Sequence, residues 1–321
     1  MSTPTLAFLF PGQGSQSVGM GRDLYDNFPA ARAVIDEADA ALGFPLSKLL
    51  FEGPEDDLKL TENTQPAILT VSVAATRVLA ERGIRPAFAA GHSLGEYSAH
   101  VAASTFSFTD AVRTVRNRGR YMQQAVPAGE GAMAAILGLP AAQITEICTT
   151  TAAELASVVS PANLNSPDQT VISGSKAAVE LAAARCKEAG AKRTVMLPVS
   201  APFHCALMQP AQNALAADLE ALAFHDPTVP VAANVDARLL TSSAESRDCL
   251  VRQVTGSVRW VECIELLKQQ GVTHFIEVGP GRVLSGLLRQ IDRSQTALNV
   301  EDAASLEKTL AALSNPEPVA G

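Results

Sequence analysis

A glycine-flanked serine in the pentapeptide GHSLG (residues 91–95) constrains the local fold more than any other segment of this chain. The G-x-S-x-G pattern is typical of a nucleophile elbow, in which a serine lies on a sharp turn between a strand and a helix. The serine backbone is then strained, and the residues at its two flanks must lack side chains. The apolar run before the pentapeptide (84–90) predicts a buried strand, and the residues after it begin a helical pattern. We therefore expect the Ser93 hydroxyl at the exposed end of a sheet, with the Leu94 N–H pointing at any oxyanion formed there.

Composition limits the class of protein. The 321 residues suffice for one large domain or two smaller ones, and an apolar fraction of 47% allows a sizeable core. A net charge of −8 argues against general nucleic-acid binding. Five cysteines without a C-x-x-C spacing predict reduced thiols in a cytoplasmic protein. The apolar run 5–10 is too short for a signal peptide or a membrane span and predicts a strand instead.

Two regions differ in the order of their predicted elements. Strands and helices alternate in residues 1–126 and 199–314, which favours a mainly parallel sheet covered on both faces. Residues 127–198 show the order β-α-β-β-α-β, which is ferredoxin-like. The sequence thus predicts an α/β fold with a large α/β-hydrolase-like catalytic subdomain and an inserted small ferredoxin-like α+β subdomain. A flexible tail is expected at 315–321.

Periodicity also predicts individual elements. In the large region we expect one helix from Leu24 to Ala38, one opening at Pro66, and others at 108–125, 206–223 and 245–269, with strands at 229–233 and 272–278. In the small region we expect strands at 132–137, 157–159, 170–173 and 192–197, helices at 140–151 and 176–189, and a turn at 165–168.

A serine nucleophile needs a base, and the sequence offers two candidates among its five histidines. His204 lies in a loop after the last strand of the small region, and His274 lies in an apolar strand. The chain order of an ordinary α/β-hydrolase would favour His274 with an acid such as Asp236. The residues alone leave both histidines open.

Arg118 stands out because it shares a helix face with apolar residues. At about 100° per residue, Arg118 falls beside Val115 and Met122, whereas three further arginines fall on the opposite face: Arg113, Arg116 and Arg120. A guanidinium in a core needs a carboxylate partner, because it is always charged. That carboxylate is either internal or part of a substrate, which the arginine fork can bind bidentately.

The glycine-rich loop GQGSQS (residues 12–17) does not match a phosphate-binding motif. It lacks the third glycine of G-x-G-x-x-G and the lysine of a P-loop. A loop after the first strand can instead supply a second backbone N–H to an oxyanion hole. The sequence shows no cluster with metal-ligand spacing.

The chain resembles malonyl-CoA:acyl-carrier-protein transacylases and the acyltransferase domains of polyketide synthases. The resemblance covers nearly the whole chain. It rests on an ordered set of segments: FPGQGSQ (10–16), TQPAI (64–68), GHSLGE (91–96), RGRYMQ (118–123), NLNSP (163–167), SAPFH (200–204), Gln253 ahead of VRW (258–260), and EVGPG (277–281).

This resemblance implies the catalytic residues. Ser93 is the nucleophile and His204 the base, and the backbone carbonyl of Gln253, in place of an aspartate, orients the imidazole. The backbone N–H groups of Gln13 and Leu94 form the oxyanion hole.

The resemblance also implies the substrate and its contacts. Arg118 clamps the malonyl carboxylate, and Phe203, Asn163 and His92 contact the substrate. Phe203 is expected to favour malonyl over methylmalonyl groups, because its ring excludes a branch methyl. The partners are malonyl-CoA and acyl carrier protein, in fatty acid or polyketide synthesis. Malonyl-CoA is a substrate, so no cofactor, nucleic acid or membrane is expected.

Two alternatives remain at this point. One is a serine esterase or thioesterase that uses Ser93 and His274. The other is a non-catalytic module that docks a carrier protein through the outward arginines of the 108–125 helix.

Overall fold

The structure is a computed structural model that describes residues 4–199 and 201–314. Within these ranges the strands are β1 (Leu6–Phe10), β2 (Phe88–Gly91), β3 (Gly131–Leu137), β4 (Val159–Ser166), β5 (Gln169–Ser175), β6 (Arg193–Met196), β7 (Val231–Ala232), β8 (Leu239–Leu240), β9 (His274–Val278) and β10 (Thr296–Val300).

The α-helices in the same ranges are α1 (Arg22–Asn27), α2 (Pro29–Leu42), α3 (Leu46–Glu52), α4 (Glu55–Lys59), α5 (Thr61–Glu81), α6 (Gly95–Ala102), α7 (Phe108–Gln124), α8 (Ala141–Leu155), α9 (Lys176–Glu188), α10 (Gln209–Glu220), α11 (Ser243–Arg252), α12 (Trp260–Gln269), α13 (Val283–Ile291) and α14 (Ala303–Ser314). A short 3₁₀ turn covers Ala206–Met208. Among these helices we find none that is both long enough and apolar enough to cross a membrane.

The larger sheet has six strands in the order β10-β9-β1-β2-β7-β8. The strands from β10 to β7 run parallel, and β8 at the edge is antiparallel. Phe10 at the end of β1 aligns with Gly91 at the end of β2, so both strands finish at the same edge. This sheet confirms the expected parallel architecture. The sequence did not indicate β8 and β10, because β8 has only two residues and β10 is half-buried with a mixed pattern.

Both faces of the larger sheet are covered, as β1 shows. Phe8 and Phe10 join the core cluster that includes residues of α2, α5, α6 and α7. Ala7 and Leu9 join a second cluster with Trp260 and other residues of α12 and α13. A strand buried on both faces needs a continuous apolar run, and this explains the unbroken sequence LAFLF of β1.

The smaller sheet has the order β4-β5-β3-β6, and all its neighbouring strands are antiparallel. Residues of α8 and α9, including Ile144 and Val179, form one apolar cluster with Ile136 and Ile172 of the strands. With two crossover helices, this strand order is ferredoxin-like, and the predicted fold class is confirmed. The boundaries at 126/127 and 198/199 stay a prediction, and the expected tail at 315–321 lies outside the described residues.

Two expected helices are each divided in the structure. Phe28 is extended and separates α1 from α2, because a residue before proline avoids the helical conformation. The expected helix at 245–269 is interrupted between Arg252 and Trp260. The chain at this break carries Gly256, and its backbone reaches the site described below.

Two other boundaries were wrong. Pro66 lies inside α5, which begins at Thr61, so the proline does not open the helix. Packing of this almost wholly buried helix outweighs the one backbone hydrogen bond that a proline cannot donate. The strand β4 runs to Ser166, and the turn before β5 contains only Pro167 and Asp168. Pairing with β5 keeps Asn163, Leu164 and Ser166 in the ladder.

Candidate active site

Ser93 lies on the turn between β2 and α6, where its backbone φ of 52° is in the left-handed region. A β-carbon at Gly91 would lie 1.9 Å from the carbonyl group of Gly95, and one at Gly95 would lie 2.0 Å from the oxygen of Phe10. Close backbone approach therefore excludes a side chain at either glycine, which is the steric reason that the pentapeptide suggested. Backbone strain of this kind is typical of functional sites.

His204 reaches Ser93 from a distant part of the chain. Its Nε2 lies 2.7 Å from Ser93 Oγ. Its Nδ1 lies 3.0 Å from the carbonyl oxygen of Gln253 and 3.2 Å from that of Gly256. Because both carbonyls are acceptors, Nδ1 carries the proton, and Nε2 is left to accept a hydrogen bond from the Ser93 hydroxyl. The imidazole is thus oriented without a carboxylate.

The break between α11 and α12 makes these two carbonyls available. In a continuous helix each carbonyl accepts from the N–H four residues further on. Because α11 ends at Arg252, the oxygens of Gln253 and Gly256 accept from His204 instead. The resemblance pointed to Gln253, whereas no signal in the sequence pointed to Gly256.

The protonation state of His204 suits a general base. Burial lowers the pKa of His204 to about 3, and the positive charge of Arg118 acts in the same direction. The hydrogen bonds to the two carbonyls oppose this shift without cancelling it. His204 is therefore neutral at pH 7 and able to accept the Ser93 proton.

Arg118 projects inward from α7 and is only 1% exposed. The N-cap Ser107 fixes the start of this helix, because its Oγ accepts from the N–H of Asp110 at 3.0 Å. The buried face of α7 includes the residues that periodicity placed beside Arg118: Ala111, Val115 and Met122.

The Arg118 guanidinium makes its direct hydrogen bonds to neutral groups. It donates to Gln65 Oε1 at 2.8 Å, to Gln253 Oε1 at 2.9 Å and to Ser93 Oγ at 3.2 Å. The ring of Tyr97 lies 5.5 Å from the guanidinium carbon. Within the described ranges Arg118 forms no ion pair with a carboxylate, and its Nε has no hydrogen-bond partner. The buried carboxyl group of Glu96, which accepts from Gln253 Nε2, interacts electrostatically with Arg118, but burial raises the pKa of Glu96 to about 7, so it neutralises the guanidinium only in part. A buried guanidinium without a direct ion pair is suited to a substrate carboxylate.

Gln65 was not identified as a site residue from the sequence. It lies on α5, is 2% exposed, and also donates through Nε2 to the sulfur of Met122 at 3.7 Å. Gln65 lies in the segment TQPAI, which is one of the segments that carry the family resemblance. Helical periodicity alone cannot distinguish a buried glutamine that binds an arginine from any other buried glutamine.

The functional groups line one cavity of about 130 Å³. Ser93, His204 and Arg118 contribute its polar part. The walls are largely apolar and come from α7, β3 and the segment after β6: Met122, Met133, Leu197, Val199 and Phe203. Small acyl groups with one charged end match this combination of a buried cation and apolar walls.

Gln13 and Leu94 also line the cavity. Gln13 lies in the loop after β1, whose end aligns with the end of β2, and Leu94 follows Ser93 directly. In the described part of the chain, neither backbone N–H donates a hydrogen bond to another protein group. Both donors are therefore available to an oxygen atom in the cavity.

His92 and Asn163 complete the lining. His92 Nε2 lies 2.8 Å from Asn165 Oδ1, and its ring lies 5.5 Å from that of Trp260. Burial lowers the pKa of His92, so its ring is neutral. Both residues form part of the wall, whereas Ser93 and His204 form the reactive pair.

The alternative base lies at the wrong end of the sheet. His274 aligns with Leu6 at the start of β1, whereas Gly91 before the serine aligns with Phe10 at its end. Asp236 is bound to Arg252 in an ion pair of 2.6 Å. Because the strands are parallel, His274 and Ser93 lie at opposite edges of the sheet, and the structure does not bring His274 to Ser93.

Among the described residues, no cluster of His, Cys, Asp or Glu is arranged to hold a metal ion.

A strained serine at the carboxyl edge of a parallel sheet, paired with a neutral histidine, defines a class of α/β enzymes with a serine nucleophile. Residues 7–311 match the family model described as the acyl transferase domain, and the chain belongs to this family. The expected family is thus confirmed, and the protein is an acyltransferase.

Individual relatives resemble nearly the whole chain. A malonyl CoA-acyl carrier protein transacylase of Bacillus subtilis is 50% identical over 308 residues, which cover 96% of this chain and 97% of the relative. The crystal structure of an acyl carrier protein S-malonyltransferase from Vibrio cholerae has a TM-score of 0.93 at 49% identity, covering 95% of this chain and 99% of that one. A malonyl-transacylase in complex with a type II polyketide synthase acyl-carrier protein has a TM-score of 0.93 at 48% identity, covering 96% and 99%.

Proposed function

We propose that this protein transfers a malonyl group from malonyl-CoA to the phosphopantetheine thiol of acyl carrier protein through a malonyl-serine intermediate. The observation that carries the proposal is the position of Ser93 Oγ, 2.7 Å from His204 Nε2 and 3.2 Å from the buried guanidinium of Arg118, which forms no direct ion pair within the described ranges. The first contact supports nucleophilic catalysis, and the second supports selection of an acyl group that bears a carboxylate.

The first half-reaction forms the acyl-enzyme. His204 Nε2 takes the Ser93 proton while Oγ bonds to the thioester carbonyl carbon of malonyl-CoA. When the tetrahedral intermediate collapses, its carbon–sulfur bond breaks, and the proton on His204 passes to the departing thiolate of coenzyme A. The carbonyls of Gln253 and Gly256 accept from Nδ1–H throughout, so they stabilise the imidazolium that forms.

The backbone N–H groups of Gln13 and Leu94 receive the oxyanion of this intermediate. Both are free of other protein acceptors in the described ranges, and both residues line the cavity that holds Ser93. A single donor of this kind contributes roughly 3–4 kcal/mol in comparable sites.

The second half-reaction repeats these steps with a different thiol. His204 deprotonates the phosphopantetheine thiol of the carrier protein, whose sulfur attacks the malonyl ester and releases Ser93. Donor and acceptor present the same pantetheine arm, so one entrance serves both. Ping-pong kinetics follow from this sequence.

Arg118 accounts for the preference for transfer over hydrolysis. Its charge binds the malonyl carboxylate and fixes the acyl group against the serine. The apolar walls formed by Met133, Leu197 and Phe203 disfavour water beside the ester.

The relatives support the same partners, since two of them are named for malonyl transfer with an acyl carrier protein. We place the reaction in fatty acid or polyketide synthesis, without a cofactor. A cytoplasmic location is consistent with five unpaired, buried cysteines.

Intact-mass spectrometry tests the proposal. Mixing the enzyme with malonyl-CoA is expected to add one malonyl group, and the Ser93→Ala variant is expected to add none. Holo acyl carrier protein is then expected to remove the adduct and gain the same mass. An adduct on the Ser93→Ala variant, or an adduct that only water removes, would contradict the proposal.

A further inference from the structure

Asn234 lies beside the nucleophile elbow although it is far away in sequence. It follows β7, the strand that pairs with β2 through Ala90 and Ala232. Its side chain is fully buried. Since β2 and β7 are parallel neighbours, residues just beyond their carboxyl ends lie side by side. The fold therefore places Asn234 next to the segment that carries Ser93.

The Asn234 side chain binds the elbow backbone on both sides of the turn. Its Oδ1 accepts from the N–H of Ser93 at 2.7 Å, and its Nδ2 donates to the oxygen of Gly91 at 2.7 Å. The chain turns away from the β-ladder here, so no neighbouring strand can pair with these two groups. A primary amide has the donor and the acceptor of a peptide group, and Asn234 supplies both.

Asn234 is itself held in place by its backbone. Its N–H donates to Glu96 Oε2 at 3.0 Å, and its carbonyl accepts from the N–H of Arg259 at 3.0 Å. Glu96 Oε2 also accepts from Gln253 Nε2 at 2.8 Å. The amide is thus fixed relative to the elbow and to the residue whose carbonyl orients His204.

We propose that Asn234 is a positioning residue, whose side-chain amide holds Ser93 in its left-handed conformation and so keeps Oγ in reach of His204 Nε2. The inference rests on Ser93 being the nucleophile of the proposed function. It assigns to Asn234 a role in reactivity beyond its share in the stability of the fold. Misplacement of a reacting atom by about 1 Å costs on the order of 100-fold in rate.

A small sulfonyl fluoride separates nucleophile position from substrate recognition. Methanesulfonyl fluoride has no carboxylate, so Arg118 does not select it. The serine oxygen bonds to sulfur, fluoride leaves, and the serine proton passes to His204. Labelling of Ser93 in the unmodified protein, followed by intact mass, first establishes that Ser93 is nucleophilic. Its absence would count against the proposed function and not against Asn234.

The Asn234→Ala variant is then expected to react about 100-fold more slowly per folded molecule, both with this reagent and with malonyl-CoA. Thr309→Ala is the matched control. Thr309 is buried on α14, and its Oγ1 donates to the Asn299 oxygen at 2.9 Å, away from the elbow. The control loses a buried hydrogen bond and is expected to keep its labelling rate. Equal labelling rates in Asn234→Ala and the unmodified protein would overturn the inference.

The Asn234→Asp variant gives a second test. It distinguishes a positioning role of the Asn234 amide from a purely structural one. An ionised aspartate turns an oxygen toward the Gly91 carbonyl, whereas a protonated aspartate again offers one acceptor and one donor. Burial and the neighbouring Glu96 both raise the pKa of such an aspartate. Labelling of the variant is therefore expected to increase as pH falls from 8 to 6.

The unmodified protein is the reference over this interval, because His204 stays neutral throughout it and Glu96, whose pKa burial raises to about 7, titrates in both proteins. If Asn234→Asp and the unmodified protein show the same pH profile, Asn234 does not act through this amide. The comparison also holds if Asn234→Ala fails to fold, because the aspartate variant is isosteric with the native residue.

Discussion

Arg118 combines a permanent charge with a buried position, and the oxygen atoms to which it donates carry no negative charge. Gln65 and Gln253 satisfy the geometry of the guanidinium, but amide oxygens do not neutralise it. Burial lowers the pKa of Arg118, which means that the charged form is less stable here than in water. A carboxylate that enters the cavity therefore gains a strong partner, whereas an uncharged acyl group does not.

Arg118→Ala is expected to lower kcat/KM for malonyl-CoA, because a carboxylate would then be buried without a partner. The loss corresponds to about 2–5 kcal/mol of transition-state stabilisation. The kcat/KM for acetyl-CoA is expected to fall far less, so the ratio of kcat/KM values shifts in favour of acetyl-CoA. Initial rates of acyl-serine formation with each substrate measure the ratio. Arg120→Ala, on the exposed face of the same helix and 3.8 Å from Glu62, is the control. An unchanged malonyl preference in Arg118→Ala would refute the clamp.

His204 sets the expected pH dependence of acylation. Its pKa is lowered to about 3 by burial and by Arg118, so the base form persists well below the ordinary imidazole value of about 6.5. Protonation of His204 is therefore expected to cause no decline in the rate of acyl-serine formation between pH 8 and about pH 5. Rapid-quench intact mass measures this rate. A decline with a midpoint near 6.5 would show that His204 is more exposed to water than the structure indicates.

The same pKa has a consequence for stability. The unfolded chain binds a proton at His204 below about pH 6.5, whereas the folded chain does not until about pH 3. At this group the unfolded state thus gains a proton first as pH falls, so the contribution of His204 to the free energy of unfolding decreases below pH 6.5. His100, whose pKa burial also lowers to about 3, contributes in the same direction. Glu96, whose pKa burial raises to about 7, contributes in the opposite direction because its folded state gains a proton first.

Among the elements, the elbow shows how backbone packing can override intrinsic preference. Gly95 opens α6, and alanine ordinarily stabilises a helix relative to glycine. Here the added β-carbon would lie 2.0 Å from the oxygen of Phe10 in β1. Strand, turn and helix are too close together for any side chain at this position.

Gly95→Ala is accordingly expected to destabilise the protein by about 3 kcal/mol or more, because neither backbone segment can withdraw. Gly286→Ala in α13 is the matched control, since a β-carbon there meets no atom within 4 Å. That variant is expected to stabilise the fold by about 0.5–1 kcal/mol. Denaturant unfolding of both variants gives the comparison. A neutral Gly95→Ala would show that the elbow is not packed as described.

In the molecule as a whole, the cavity lies where the two sheets meet. Backbone hydrogen bonds join β4 of the small sheet to the segment between α11 and α12, since the Leu164 N–H donates to the Val258 oxygen at 2.9 Å and the Val258 N–H to the Ala162 oxygen at 2.8 Å. Met133 and Leu197 belong to the side of the small sheet, and Ser93 and Arg118 to the side of the large one. The size of the acyl pocket is therefore set by packing between the two parts and not by either alone.

Phe203→Ala is expected to enlarge this pocket and raise the methylmalonyl-to-malonyl ratio of kcat/KM. One methyl group accounts for about 1–3 kcal/mol of discrimination. Competition between the two acyl-CoA substrates, followed by intact mass, measures the ratio. Phe51→Ala on α3, which lies outside the cavity lining, is the control. If Phe203→Ala kept the original ratio, another part of the wall would have to exclude the branch.

The order of predicted elements was sufficient for the two-sheet architecture, because strand and helix periodicities are local. The breaks were harder to predict. Gly256 and Ser257 allow a break within residues 245–269, but they do not show that the helix stops at Arg252 or that the freed carbonyls accept from a distant histidine. The strand β8 was not predicted because its two residues are too few to show a periodic pattern.

The sequence by itself determined the groups that depend on local sterics and on residue type. Gly91 and Gly95 prescribe the elbow, and helical spacing turns Arg118 toward the core, because both follow from geometry within a few residues. The choice between His204 and His274 could not be made from local sequence. It depends on which end of a parallel sheet each reaches, and register across strands distant in sequence settles that. The roles of Gln65, Gly256 and Asn234 likewise depend on contacts between distant segments, which only the tertiary structure creates.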